Sequence, residues 1–381
     1  MKILVIPHAY STNLVIREIE LARCWADRHE VYVVRPPVLN GARSIRDKIA
    51  FHVSALRVSE ELGADGLHWV TVPAAYRLPV LQEHLNRWAM RTIMARWGFD
   101  VVVNASYFGN AAAPGAIGAE IPRGRYRYIY DFVDDHVGGY RLYGREHEAQ
   151  LADRVIRQET SKADHVVSIT QYLRNVCRAQ YGCDSHVVSN GFHPANVTGD
   201  QEQALRQRIG LHDGPVLGYI GSLDGWVNLE FAIEVFTTLQ LRRPELQLLI
   251  VGGGARQQLL QDRHGTTQGL HLTGWIPREE VAPYFRLIDV GLVPFEENAL
   301  THAALPIKAI EYGGHGRPVV ASALQGLIEQ HLSYVRCRPM QVDLWCNEIE
   351  SSLRERPAER AFLDVARYRW ETLAAQMEEL F

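Results

Sequence analysis

Short, continuously apolar runs alternate with amphipathic stretches along almost the whole chain. The segments Lys2–Ile6, Glu30–Val34, His68–Val72, Asp100–Asn104, Tyr126–Asp131, Asp164–Ile169 and His186–Ser189 read as one series of strands. A second series follows at Pro215–Ile220, Gln247–Val251, Leu270–Thr273, Val290–Pro294 and Arg317–Ala321. Between them, Asn13–Arg28, Glu83–Trp97, Glu146–Lys162, Glu230–Arg242 and Arg278–Leu287 carry helical spacing. Brief apolar strands separated by helices predict parallel sheets covered on both faces.

The alternation breaks at His193–Gly214, which has proline, glycine, aspartate and glutamine but no strand run. This predicts two doubly wound, Rossmann-like α/β domains, 1–195 and 196–360, whose ligands bind at strand carboxyl ends. Ala358–Phe381 reads as one long helix containing Trp370, with 361–381 able to cross back to the first domain. A length of 381 residues suits two or three cores, and 47% hydrophobic with 22% charged residues is ordinary for a globular protein. The net charge of −4 argues against a nucleic-acid partner. Five cysteines without CxxC spacing fit a reducing cytoplasm better than a disulfide framework. The opening MKILVIPHAY reads as a first strand rather than a signal peptide. No run approaches the ~18 apolar residues of a membrane span, which leaves only peripheral contact with a bilayer.

Within DVGLVPFEENALTHAALPIKAIEYGGHGRPVVAS, a helix begins near Pro306 and stops at Gly313-Gly314. Lys308 and Glu311 are three apart, so they share a face at the helix N-terminus, where free N–H groups favour an anion. The ammonium suits a phosphate, and the carboxylate suits sugar hydroxyls. The plain alternative is an exposed ion pair. Only four of the 40 basic residues are lysines, which makes Lys308 conspicuous as a point-charge phosphate ligand.

Other strand-end loops offer weaker signals. Gly221 and Ser222 follow the first strand of the second series and either approach a phosphate or make a simple turn. Gly252, Gly253 and Gly254 do not form GxGxxG; they make a tight turn or clear room for a ligand. Trp275 and Ile276 either border a base or, in the plainer reading of Trp275, pack in the core or at a domain boundary. In RYIYDFVDDHVGGY, the carboxylates Asp131, Asp134 and Asp135 and the imidazole of His136 cluster at a strand end. One carboxylate could act as a general base, or the group could cap the next helix. His8, Asn13, Ser106 and Tyr107 lie in neighbouring strand-end loops on the same domain. The arginines of Pro36–Pro79 (Arg43, Arg46, Arg57 and Arg77, with Lys48) suggest an acceptor-recognition insertion. Leu85–Trp97 is a basic amphipathic helix that suits either anionic lipid or, more commonly, a core.

The segment LPIKAIEYGGHGRPVVAS resembles the donor-binding pattern P-x-K-x-x-E-Y-x-x-x-G-x-P-V-V of GT-B glycosyltransferases, especially bacterial polysaccharide enzymes. YIGSLDGWVNLE, GWIPREEVAPYFRLIDVGLVPF and ADHVVSITQYL with VVSNGFHP resemble further family segments, in family order. The resemblance implies two Rossmann-like domains facing across a cleft, with a nucleotide-sugar donor in the second. It implies that Lys308 meets the phosphates, Glu311 the ribose, and Gly221 and Ser222 the diphosphate. The acceptor would be a glycan, lipid-linked saccharide or small molecule held by the first domain. No cofactor is implied, since the nucleotide-sugar is a substrate, and no metal is expected. Many retaining members carry E-x7-E, but the position eight before Glu311 is Ala303, which points towards inversion with Asp134 as the favoured base. The same fold also serves nucleotide-sugar epimerases and non-catalytic nucleotide-sugar binders, and the residues leave both open.

Overall fold

The computed structural model describes residues 1–10, 15–37, 57–73, 79–107, 120–122, 124–195, 197–355 and 359–381. The chain divides into two compact α/β units, Met1–Ser189 with Trp370–Phe381, and Asn190–Arg369.

The first unit holds strands β1 (Lys2–Ile6), β2 (Glu30–Arg35), β3 (Ser59–Leu62), β4 (His68–Thr71), β5 (Val101–Asn104), β6 (Arg127–Phe132), β7 (His165–Ser168) and β8 (His186–Val187). Its helices are α1 (Arg17–Ala26), α2 (Pro79–Trp97), α3 (His136–Leu142), α4 (Glu146–Lys162) and α5 (Gln171–Tyr181). The sheet runs β3-β4-β2-β1-β5-β6-β7-β8, and every pairing is parallel except the edge pair β3–β4. Leu4 pairs with Tyr32 on one side and Val102 on the other, so the strand order reverses direction at β1. Such a switch point gathers ligands at strand carboxyl ends. Here those ends carry His8, Ser106 and Asp131.

The second unit holds β9 (Val216–Ile220), β10 (Gln247–Val251), β11 (Leu270–Leu272), β12 (Val290–Val293), β13 (Val319–Ser322) and β14 (Val335–Arg338). Helices α6 (Gly199–Ile209), α7 (Leu229–Gln240), α8 (Gln257–His264), α9 (Ala282–Leu287), α10 (Ala299–Ala303), α11 (Ile307–Gly314), α12 (Gln325–Ile328) and α13 (Val342–Arg354) surround it. The all-parallel order is β11-β10-β9-β12-β13-β14. Its central strands are buried along their length, as covered parallel strands require.

The tail differs from the single helix expected over Ala358–Phe381. Glu359–Tyr368 is a 3-10 helix and α14 (Trp370–Glu378) is a separate α-helix. Phe362, Val365 and Tyr368 turn inward at every third position, matching three residues per turn. Trp370, Leu373, Ala374 and Met377 are then buried at α-helical spacing. In the first unit α14 packs on α1, where the Trp25 indole donates to the Ala374 carbonyl at 3.0 Å. At the other boundary, Asn190–Ala195 group with the second unit, where the Asn190 amide donates to the Leu305 carbonyl at 3.0 Å. The edge strands β3 and β14 were not expected from the sequence. Each is four residues long and carries charges (SEEL and VRCR), so neither shows an apolar run.

In α2, Met90 and Ile93 are fully buried in the first core, with Met94 and Trp97 packed against it. The apolar stripe of Leu85–Trp97 therefore serves the core. The same helix leaves Trp88 48% exposed.

Two strand glycines shape the second unit. A Cβ on Gly291 in β12 would lie 2.5 Å from the Tyr312 ring, and one on Gly218 in β9 would lie 2.1 Å from Ile288. The Tyr312 hydroxyl donates to the Gly218 carbonyl at 2.8 Å. The Gly291 notch lets α11 settle directly on the sheet, whereas the space at Gly218 is taken by Ile288. Gly291→Ala is expected to cost about 1–3 kcal/mol, because a buried ring has nowhere to retreat. Unchanged urea unfolding of that variant would show that Tyr312 is not seated as described.

Candidate functional site

Each unit presents one polar constellation at its strand ends. In the second unit, Tyr312 fixes the roll of α11 and so the direction of Lys308 one turn earlier. The Lys308 ammonium lies 4.8 Å from the centre of the Tyr219 ring and 4.5 Å from that of Phe295, a cation–π arrangement on two faces. A Cβ on Gly221 would meet Lys308 Cε at 2.9 Å and Nζ at 3.0 Å, so a side chain there would push the ammonium from this position. Gly221 also takes φ +148, a conformation that side chains disfavour. Burial pushes the Lys308 ammonium down to about 8, against the opposing pull of Glu311 and Asp224. Among the described residues no carboxylate forms a salt bridge with it. Helix α11 opens at Pro306 with no side-chain cap, so its first N–H groups are also uncompensated by a side chain.

The neighbouring loops are tightly tied. The Gly221 amide donates to Val251 and the Leu223 amide to Gly253, at 2.9 and 3.0 Å. The Gly221 amide is therefore committed to the protein, and the backbone donor available between these two ties is that of Ser222. The Tyr219 hydroxyl holds the Ser222 carbonyl at 2.6 Å. The room at Gly253 goes to Trp275, since a Cβ would lie 2.4 Å from the indole. Trp275 is 46% exposed, which excludes core packing, whereas Ile276 packs partly against the core. Ile276 also borders a cavity of about 650 Å³ beside β11.

In the first unit, the carboxyl ends of β1 and β6 meet the start of α1. The Glu18 carboxylate, fully buried, accepts from His8 Nδ1 at 2.9 and 3.0 Å. Burial alone would lower His8, but Glu18, with Asp134 and Asp131 behind it, raises the imidazole to about 9. His8 is therefore an imidazolium at neutral pH. Arg17 donates through Nε to Asp131 at 3.0 Å, both side chains being buried, and also donates to the Ser189 carbonyl. Sequence reading missed Arg17 and Glu18. Their signal was a charged pair opening a helix at the end of the first strand.

The three candidate carboxylates have separate roles. Asp131 gives one oxygen to Arg17 and is fully buried, so although burial raises its carboxyl to about 6 against the pull of Arg17, it presents no exposed oxygen to an acceptor. Asp135 caps α3 by accepting from the Gly138 amide at 2.9 Å, where any Cβ would strike its carboxylate. Asp134 is half-buried and accepts no hydrogen bond at its carboxylate from the described residues. Burial raises it to about 6, with His8 opposing and Glu18 and Asp135 adding. A carboxylate so placed is ionised at neutral pH and can accept a proton. His136 stacks on Tyr107 with ring centres 3.5 Å apart. Burial, with His8 adding, holds its imidazole well below the ordinary value, so it is neutral, and its Nε2 is buried without a partner among the described residues. Ser106 is fully buried, and its amide donates to Asn104, part of a network with Tyr128 and Glu159. It is structural rather than exposed to a ligand. Asn13 lies outside the described residues, as do 38–56 and 74–78 of the basic insertion.

Known proteins resemble this chain in sequence and in fold. The family model described as Glycosyltransferase Family 4 matches residues 18–196, and that described as Glycosyl transferases group 1 matches 214–353. The GDP-mannose-dependent alpha-(1-6)-phosphatidylinositol monomannoside mannosyltransferase of Mycolicibacterium smegmatis is 26% identical over 239 residues, 60% of each chain. The alpha-D-kanosaminyltransferase of Streptomyces kanamyceticus is 27% identical over 268 residues, 63% of this chain and 67% of that one. Among curated relatives, the chain spans from 37% to 67% of these proteins' lengths. Among solved structures, Anabaena HepE in complex with UDP and glucose superposes with a TM-score of 0.69 at 16% identity, over 100% of this chain and 98% of that one. That likeness establishes the GT-B fold.

Replacing Glu18 with Gln is expected to lower the His8 pKa from about 9 by at least one unit. An NMR titration of the His8 ring checks this, and an unchanged midpoint would refute the assigned contact.

Proposed function

The chain belongs to the GT-B glycosyltransferases of the family 4 type, and from that premise we propose that it transfers a sugar from a nucleotide-sugar to an acceptor hydroxyl. The observation that carries this reading is the Lys308 ammonium, poised over Gly221 with Glu311 one turn on and no salt-bridge partner among the described residues. The second unit takes the donor: Lys308 and the N-terminus of α11 neutralise the diphosphate as it departs, and Glu311 holds the ribose. This cationic arrangement supplies the charge stabilisation for which other transferases use a metal, so transfer is metal-independent and needs no cofactor. Trp275 and Ile276 border the base.

The first unit takes the acceptor. Asp134 removes the proton from the attacking hydroxyl, whose oxygen displaces the nucleotide in line at the anomeric carbon. With Ala303 where retaining relatives carry glutamate, the displacement inverts configuration. The acceptor is a glycan, a lipid-linked saccharide or a small molecule; the two relatives named above act on a phosphoinositide mannoside and transfer kanosamine. Exposed Trp88 and Arg91 on α2 offer a contact with a membrane surface on the cytoplasmic side.

A thermal-shift panel of UDP-, GDP-, TDP- and ADP-sugars should identify one stabilising nucleotide. Lys308→Ala should then reduce transfer by about 10²–10³-fold while the protein stays folded. Full turnover in that variant would remove Lys308 from the donor site. Asp134→Asn should lower transfer by about 10²–10⁴-fold. In the wild type, the rate should fall as pH drops through about 6, because Asp134 becomes protonated. The anomeric configuration of the product, read by NMR coupling, decides inversion; a retained anomer would refute the role given to Asp134.

A further inference from the structure

Two thiols in the first unit lie apart from the residues assigned above. Cys177 is in α5 and fully buried, whereas Cys183 is half-buried in the turn just beyond the helix. Gly182 ends α5 with φ 69, and its amide donates to the Arg178 carbonyl at 3.1 Å. This left-handed cap folds the chain back so that Cys183 Sγ lies 3.0 Å from Cys177 Sγ. Non-bonded heavy atoms rest at about 3.5–4 Å, so ordinary packing does not account for the approach. The far side of the turn is pinned as well. Asp184 accepts from Arg174 at 2.6 and 2.7 Å and from Arg178 at 3.0 Å, and its carboxylate also receives the Ser185 amide. The backbone therefore holds the two sulfurs together from both ends.

We propose that Cys177 and Cys183 form a thiol–disulfide exchange site whose co-substrate is a small disulfide of the glutathione type. Cys183, the more accessible sulfur, attacks as the thiolate. It bonds to one sulfur of the small disulfide and expels the other as a thiolate, leaving a mixed disulfide on Cys183. Cys177 then loses its proton to water and attacks Cys183 Sγ, expelling the second small thiolate. Two protein thiols and one small disulfide thus give one protein disulfide and two small thiols once the leaving thiolates are protonated. The order of attack agrees with the local chemistry. A hydrogen bond from Cys177 pushes the Cys183 thiol down to about 7, whereas that same contact and burial push Cys177 up. Cys24 and Cys337, also half-buried, are pushed up by burial to about 11, so they are slow competitors within the same molecule.

The test uses the folded, full-length chain treated with limiting oxidised glutathione, then alkylated and digested with trypsin. Cleavage after Arg174, Arg178 and Arg206 would leave Asn175–Arg178 joined to Ala179–Arg206 by the new bond. That linked pair is the expected product, forming at least about tenfold faster than any adduct on Cys24 or Cys337. In Cys177→Ser the mixed disulfide should persist on Cys183. A stable glutathione adduct on Cys183 of the wild type, earlier modification of Cys24 or Cys337, or no reaction at Cys183 would each overturn the proposal. The wild-type result decides the matter even if the variant fails to fold, and it is independent of any sugar transfer.

Discussion

The second unit depends on one seated ring. Tyr312 enters a notch that exists because position 291 is glycine, and its hydroxyl reaches the carbonyl of a second glycine, Gly218. This pins α11 against β9 and β12 through a residue one turn beyond Lys308. Rolling that helix by a fraction of a turn would lift the ammonium from between Tyr219 and Phe295. The anion-seeking geometry is thus inherited from backbone packing and does not rely on a counter-charge. A salt bridge would have fixed Lys308 just as well but would have neutralised it; two aromatic faces hold it while leaving its charge available.

The first unit solves an opposite problem. It concentrates carboxylates at the ends of its parallel strands, where the cost of burial must be met locally. Arg17 answers Asp131, His8 answers Glu18, and the α3 backbone answers Asp135. Once those pairings are made, Asp134 is the carboxylate whose neighbours restrain it only at a distance. Burial and nearby negative charge then raise its affinity for a proton without locking its oxygens in hydrogen bonds. The sites at the two sets of strand ends are therefore defined by what internal pairing leaves over: a cation in one unit and a carboxylate in the other.

Much of this was legible in the chain. Strand positions emerged from apolar runs because covered parallel strands need no polar face, and the helix bearing Lys308 announced itself through proline, glycine and a three-residue spacing. What failed to show depends on partners distant in sequence. Gly291 looks like a weak spot in a strand until Tyr312 occupies its missing side chain. Gly253 looks like a space for ligand until Trp275 fills it. Arg17 and Glu18 resemble the solvated first turn of any amphipathic helix, and only the sheet order brings β6 and the His8 loop against them. The tail misled for a different reason: apolar residues three apart satisfy both helical periods over short stretches, and only Phe362, Val365 and Tyr368 in succession separate three residues per turn from 3.6.

The arrangement around His8 also constrains how the first unit can treat a proton. A histidine oriented by a carboxylate often serves as a base, because the carboxylate fixes its tautomer and steadies the cation that forms. Here the cation has already formed. Glu18 holds Nδ1 with both oxygens, while Asp131 and Asp134 deepen the negative surroundings, so the imidazole retains its proton through neutrality. His136, stacked on Tyr107, is held neutral by burial, with the His8 charge adding. Neither imidazole is therefore poised to accept a proton at neutral pH: one already has it, and the other cannot hold it. Proton acceptance falls to Asp134, and the charge on His8 opposes the burial that would otherwise carry that carboxylate's pKa higher still.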